Sequence, residues 1–432
     1  MERMIDARKQ TRGKTTIGML LLELYIFTSY VAQDILIPAK VNSFFLYLFL
    51  AGGVATFVLS SRVKISRFTV WYALFTLVSF LTLTYSPEPI LPLGSSMYIV
   101  LVTLALTTFM QMFITDEAAY YRMMCVYAVS SAAFVFLLIV TGNLTTQSGI
   151  RLGQDIVGNA NTFAMMMMVA LMYEAWIFVY VKLKPIWRFL LLLGMALCMT
   201  ALLMSGGRKY ILVPIVFVYI LLLLRRDRRG QRKIIIYTVI IAAVAGSLFY
   251  AMMKIPALYE VAGSRMIGLL NAVTGEGQVD TSTALRDKMR VLAISGWLER
   301  PLIGHGFDSY KYLNADVYGR FYYSHCNYTE LLYNGGIITL AVYYWMPVSI
   351  LRQAFLQKKI DLKYRAFAIA AVLSLLAFDY GAVDYNVTSI VIMFMMAYVG
   401  LSIGKAQADA EEKRKQNEKK RRPRPSEVTT HE

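Results

Sequence analysis

Apolar runs of about twenty residues recur along almost the whole chain, and they leave it few ways to fold. A backbone surrounded by hydrocarbon must satisfy its own polar groups, so only helices and closed barrels cross a membrane. None of the runs alternates with the period of two that a barrel strand requires. Helices rising ~1.5 Å per residue across ~30 Å of hydrocarbon fit their length. Candidate spans lie at 17–37, 42–60, 67–85, 93–114, 121–142, 161–181, 187–204, 209–224, 234–253, 328–351, 364–383 and 384–403. The residues are 57% hydrophobic and 16% charged, whereas a soluble domain is roughly 25% charged. That shortfall excludes both a cytosolic enzyme and a disordered protein. The expected fold is all-α: a polytopic membrane domain over residues 1–404 with about twelve transmembrane helices.

The formal charge of +17 would suggest nucleic acid in a soluble chain, but here its distribution follows topology. Alternate loops from the N-terminal side collect Arg3, Arg8, Lys9, Arg12 and Lys14, then Arg62, Lys64 and Arg67, then Lys182, Lys184 and Arg188. The run from Arg225 to Lys233 and residues 352–365 join them. The opposite set of loops is close to neutral. The positive-inside rule therefore puts both termini on the cytoplasmic side of the membrane, with no nucleic-acid partner expected. The first apolar run is full length and lacks a small-residue cleavage site, so no cleavable signal is expected. Residues 405–432 read as a disordered, basic cytoplasmic tail. Glu23 and Glu174 fall inside spans, the three cysteines form no framework, and the 24 methionines read as helix packing.

The outer loops are short except for residues 254–327, a length that is usually functional. Within this large, partly helical extracytoplasmic loop, Leu285, Met289, Leu292 and Gly296 recur at helical spacing. Ser282 or Thr283 is the expected N-cap, and Pro301 with Gly304-His305-Gly306 the stop. Against the general bias, Arg151, Arg208, Lys209, Arg265, Arg286 and Arg290 lie on the outer side. A basic pair in the Ser205-Gly206-Gly207-Arg208-Lys209 turn is costly at a membrane boundary, and the arginine fork suits a diphosphate. Of three histidines, His325 precedes a helix start with Asn327 and Glu330 within one turn. It reads either as a base for a hydroxyl proton or as a helix cap, while His305 reads as a turn residue. No H-E-x-x-H and no G-x-x-x-x-G-K-[ST] occurs, so neither a metal nor ATP is expected, and no other cofactor.

Four local patterns resemble the O-antigen ligase and Wzy-type polysaccharide polymerase superfamily of bacterial membrane glycosyltransferases. Arg208-Lys209-Tyr210-Ile211-Leu212 looks like that family's R-x-x-x-L element, and His325 with Gly336 and Thr339 like its H-[NSQ]-x9-G-x-x-[GTY] element. Arg151-Leu152-Gly153 through Asn159-Ala160-Asn161 is similar to the segment entering a span with an N-x-N pair. The stretch from Arg286 to Gly306 resembles the outer-loop helix and its P-L-x-G-x-G turn. The matches run in the family's chain order over about residues 150–340. One departure is Cys326, where the pattern has Asn, Ser or Gln, so Asn327 either supplies that amide one position later or the role is absent.

The resemblance implies transfer of a glycan from a polyprenyl-diphosphate (undecaprenyl diphosphate in bacteria) to an acceptor sugar hydroxyl at the outer leaflet. Cell-surface polysaccharide (capsule, exopolysaccharide or O-antigen) would be the product, made with a flippase and a chain-length regulator as partners. Catalytic roles fall to His325 and Arg208, and substrate binding to Arg151, Lys209, Arg286, Arg290, Asn161, Asn327 and Glu330. The imperfect histidine element tilts the reading to a polymerase, with a ligase acting on a lipid core or other surface acceptor as the alternative. A secondary transporter or lipid flippase is the rival from another class, with Glu23 and Glu174 as its proton-coupling groups.

Overall fold

The computed structural model describes residues 16–59, 65–87, 95–144, 151–225, 230–256, 259–263, 267 and 281–421. Outside them lie Arg3, Arg8, Lys9, Arg12, Lys14, Arg62, Lys64, Arg265, the stretch 226–229 and residues 422–432. The side chains of Ser282 and Thr283 also lie outside what is described.

All regular structure among the described residues is helical. Nine helices precede the large loop: α1 Ile17–Val31, α2 Lys40–Leu59, α3 Arg67–Leu83, α4 Ser96–Phe113, α5 Glu117–Val140, α6 Ala160–Tyr180, α7 Pro185–Met204, α8 Arg208–Leu224 and α9 Gly230–Lys254. The loop contributes α10 Thr281–Glu299 and α11 Tyr310–Tyr318, and α12 Asn327–Leu356, α13 Leu362–Asp379 and α14 Thr388–Arg421 complete the chain. Each of the twelve candidate spans thus falls on one helix. Seven of the helices, α2, α4, α5, α6, α7, α12 and α14, are long and apolar enough to cross a membrane, and α1 and α3 are shorter apolar helices. The chain is a multi-pass helical membrane protein.

The helix starts follow local chemistry. Thr16, Ser66, Ser95, Asp116 and Asn159 each accept a backbone N–H of the first turn that follows, filling donors a helix start leaves open. Helices α6 and α13 are largely enclosed, and Tyr173, Trp176, Phe217 and Phe367 interlock between them and α8. Leu190, Leu192 and Leu193 of α7 are exposed, as a lipid-facing helix requires. Glu23 pairs with Arg122 of α5, and buried Glu174 accepts from Ser131 at 3.2 Å, so each has a partner inside the bundle. Residues 405–421, expected as a disordered tail, continue α14 as helix instead. The Lys415–Glu411 and Arg414–Glu418 pairs, four residues apart, support this turn by turn.

The 301–306 turn seats in a break of α12. Gly336 has φ 67° and ψ −168°, which interrupts the helix and frees its backbone groups. They are taken up from the turn: Ile337 donates to Pro301 (3.0 Å), while His305 and Gly306 donate to the carbonyls of Tyr333 and Asn334 (both 2.8 Å). The approach is so close that a Cβ on Gly336 would lie 2.2 Å from the Leu302 carbonyl oxygen, and one on Gly304 2.5 Å from that of Tyr333. His305 serves this joint as a turn residue, its Nε2 at 2.7 Å from the Gly296 carbonyl and its ring stacked on Tyr333. Helix α10 is held over the end of the bundle by this joint, and Tyr310 donates to the Met289 carbonyl at 2.7 Å.

Candidate functional site

The N-termini of α6, α8 and α12 and the C-terminus of α13 meet at the end of the bundle that α10 covers. A cavity of about 240 Å³ opens there. Arg151, Asn161, Arg208, Lys209, Arg286, Arg290 and His325 line it, bringing together separate stretches of the sequence. No Asp or Glu is among its described lining residues.

Each cation is set by its own element. The Arg151 guanidinium donates to the Ser205 carbonyl (2.6 Å) and to Asn161 Oδ1 (3.0 Å), tying the segment before α6 to the turn before α8. Leu152 N donates to Met204 O at 3.2 Å in the same tie. Arg208 and Lys209 open α8 directly after that turn, so the positive end of the helix dipole adds to their charge. Lys209 crosses over the ring of Phe378 to donate to the Gly381 carbonyl. From above, Arg286 and Arg290 descend from α10. Arg290 is steadied by Asp287 and by the face of Tyr380, 4.5 Å from the guanidinium carbon.

His325 sits in the left-handed region, φ 61°, where a non-glycine residue is uncommon and concentrates at functional sites. It is not the helix cap: Cys326 holds the N-cap position of α12, without a side-chain bond. The imidazole packs against Tyr323, ring centres 4.5 Å apart. Burial, then the charges of Arg286, Lys209 and Arg290, pushes its pKa down to about 3, so the ring is neutral near pH 7 and able to accept a proton.

Two sequence-chosen residues stand outside the cationic cavity. Buried Asn327 accepts from the backbone N–H groups of Asp384 and Tyr385 (both 3.1 Å) and donates to Tyr344 Oη at 3.0 Å. It thereby anchors the segment between α13 and α14 rather than orienting His325. Glu330 accepts from Ser324 N at 2.6 Å and faces a second cavity, of about 340 Å³. That cavity shares Asn161, Lys209 and Tyr210 with the first. Asp308, Tyr323, Tyr385 and Asn386 also line it, and sequence reading passed over all four as site residues.

Fold and site together define a class: a multi-pass helical membrane protein with a histidine and five cations around one cavity at its helix ends. A family model described as O-Antigen ligase matches residues 193–344, the stretch running from α7 through the turn before α8 and the loop helices into α12. That match supports the O-antigen ligase and Wzy-type polymerase superfamily, a family of glycosyltransferase-like membrane enzymes. No curated protein matches the chain.

Proposed function

We propose that the protein transfers a glycan from a polyprenyl-diphosphate carrier to an acceptor sugar hydroxyl at the outer face of the bacterial plasma membrane. The observation that carries this is the convergence of Arg151, Arg208, Lys209, Arg286 and Arg290 with His325 on one cavity with no carboxylate among its described lining residues. Such a cavity suits a diphosphate, and arginine forks grip phosphate oxygens bidentately.

The reaction assigns each group a task. His325 takes the proton of the acceptor hydroxyl as its oxygen bonds to the anomeric carbon of the donor. The bond from that carbon to the phosphate oxygen breaks, and its electron pair leaves with the carrier diphosphate. Arg208 stabilises the charge gathering on that oxygen, with Arg151, Lys209, Arg286 and Arg290 holding the rest of the diphosphate. Diphosphate is a good leaving group, so the step calls on neither metal nor ATP. The nearly neutral outer loops support cytoplasmic termini.

We take the product to be a cell-surface polysaccharide and the enzyme to be its polymerase, since Cys326 departs from the ligase-type histidine element. A ligase would use the same cavity with a different acceptor. The O-antigen ligase match favours either over a transporter. The test is to incubate purified protein with a polyprenyl-diphosphate oligosaccharide and size the products. Arg208→Ala and His325→Ala should each abolish transfer while still reaching the membrane. Wild-type turnover in both would overturn the assignment, and a single discrete addition to a lipid core would identify a ligase.

A further inference from the structure

A transfer reaction must hold two saccharides at one point, and the cationic cavity accounts only for the diphosphate. The second cavity adjoins it through Asn161, Lys209 and Tyr210. Its charge is of a different kind. Lys209 and Lys311 are matched there by Asp308 and Glu330, and Asn159, Thr162 and Asn386 add neutral polar groups. Phe321, Tyr323 and Tyr385 supply aromatic surface. A balanced lining does not select a polyanion. Fixed carboxylates and amides that bond hydroxyls, beside rings that cover C–H faces, select a sugar.

The lining is held in place rather than loosely displayed. Asp308 is buried and has a positive φ of 57°, so its carboxylate is set by the backbone as well as by partners. Ser96 donates to its Oδ2 at 2.7 Å, Lys311 bonds the same oxygen at 3.0 Å, and Tyr385 reaches Oδ1 at 3.4 Å. Asn386 donates to Ser96 Oγ at 2.9 Å, which links the segment before α14 to the start of α4. Three separate parts of the chain thus fix one polar wall. Tyr323, part of that cavity, lies against the His325 ring, part of the other. The proposed base therefore stands at the junction of the two.

We propose that the second cavity, walled by Asp308, Glu330, Asn386, Tyr323 and Tyr385, is a saccharide subsite that presents a sugar to His325. This rests on the glycan-transfer reading above. The occupant is either the acceptor sugar or the first sugar of the donor, and the two share the chemistry recognised.

Thr162 lines the second cavity and not the first, and its side chain is exposed. The experiment places a cysteine there, Thr162→Cys with Cys125→Ser, and compares each preparation before and after labelling with N-ethylmaleimide. Farnesyl diphosphate binding, carrier-linked oligosaccharide binding and glycan transfer are measured on both. Labelling should abolish transfer and leave farnesyl diphosphate binding unchanged. Unchanged oligosaccharide-carrier affinity then identifies the acceptor sugar as occupant, and affinity reduced to that of farnesyl diphosphate identifies the donor sugar. Transfer unaffected by the label overturns the subsite, as does simultaneous loss of farnesyl diphosphate. Val383→Cys, on the same wall, gives an independent reading if the first variant does not fold. Failure of unlabelled wild-type protein to bind farnesyl diphosphate would instead sink the cationic-cavity reading, a distinguishable result.

Discussion

Replacing Gly336 by alanine tests how the loop is fastened to the bundle. The native φ of 67° and ψ of −168° belong to a region open almost only to glycine, and a side chain held there costs roughly 1–3 kcal/mol. The new Cβ would also meet the Leu302 carbonyl oxygen at 2.2 Å, backbone that cannot swing aside like a side-chain tip. Relief of that overlap requires the 301–306 turn to lift, which breaks the bonds from Ile337 to Pro301 and from Ile338 to Leu302. Those two bonds contribute about 0.5–1.5 kcal/mol each. The joint should therefore weaken by on the order of 3–5 kcal/mol. Gly319 is the control, because its φ is also 67° yet a Cβ there would meet nothing within 4 Å. Its alanine variant should cost only ~1–2 kcal/mol. Chymotrypsin cleavage after Leu302 in detergent, followed with time, reports the lifted turn. Gly336→Ala should cut faster and lose transfer, since Arg286 and Arg290 ride on the helix above the joint. Wild-type resistance and turnover in Gly336→Ala would refute this account of the break.

Two further outcomes concern the site. In the free protein His325 should stay neutral as pH falls from 8 to 5, because its pKa is held near 3 against an ordinary 6.5, and farnesyl diphosphate should raise it by neutralising Arg286, Lys209 and Arg290. An unfolded chain binds the proton below 6.5 that the folded one refuses, so this group's share of stability is complete above 6.5 and is lost as pH drops towards 3. Histidine NMR spectra, assigned with His325→Gln, check this; titration near 6.5 without ligand would contradict it. Asn327→Ala should leave the Asp384 and Tyr385 N–H groups without their acceptor, at roughly 1–3 kcal/mol each, lowering thermal stability in micelles. A melting temperature equal to wild type would remove Asn327 from its anchoring role.

Much of this was legible from residue order alone, for physical reasons. Apolar length marks helices because the bilayer has one thickness, and cations on the neutral side stand out because they resist a strong bias. Arg151, Arg208 and Arg286 announced themselves in that way, and the structure brings them to one cavity. The second cavity gave no such signal. Asp308, Tyr385 and Asn386 are ordinary residues for outer segments, and only packing brings their distant stretches together. Pro301 to Gly306 and Gly336 were each visible as patterns, but not that one seats in the other, since backbone pairing leaves no mark on side-chain type. Asn327 was read for its amide and its closeness to His325; its direction is set by Tyr344 and the Asp384 backbone, which sequence spacing cannot reveal. The tail from Lys405 was judged by composition, while its helix draws on charge pairs four residues apart.

The five cations come from two parts of the molecule: Arg151, Arg208 and Lys209 from the bundle, Arg286 and Arg290 from the helix above it. Like charges facing across a gap push the two apart until an anion lies between them. A diphosphate bound as proposed would therefore act as a clasp between the bundle and the helix above it. In the proposed transfer the spent carrier keeps both phosphates, so that clasp would outlast the reaction. On the proposed reaction, the attraction that captures the donor would also detain the spent carrier, and its exit would be expected to slow each cycle.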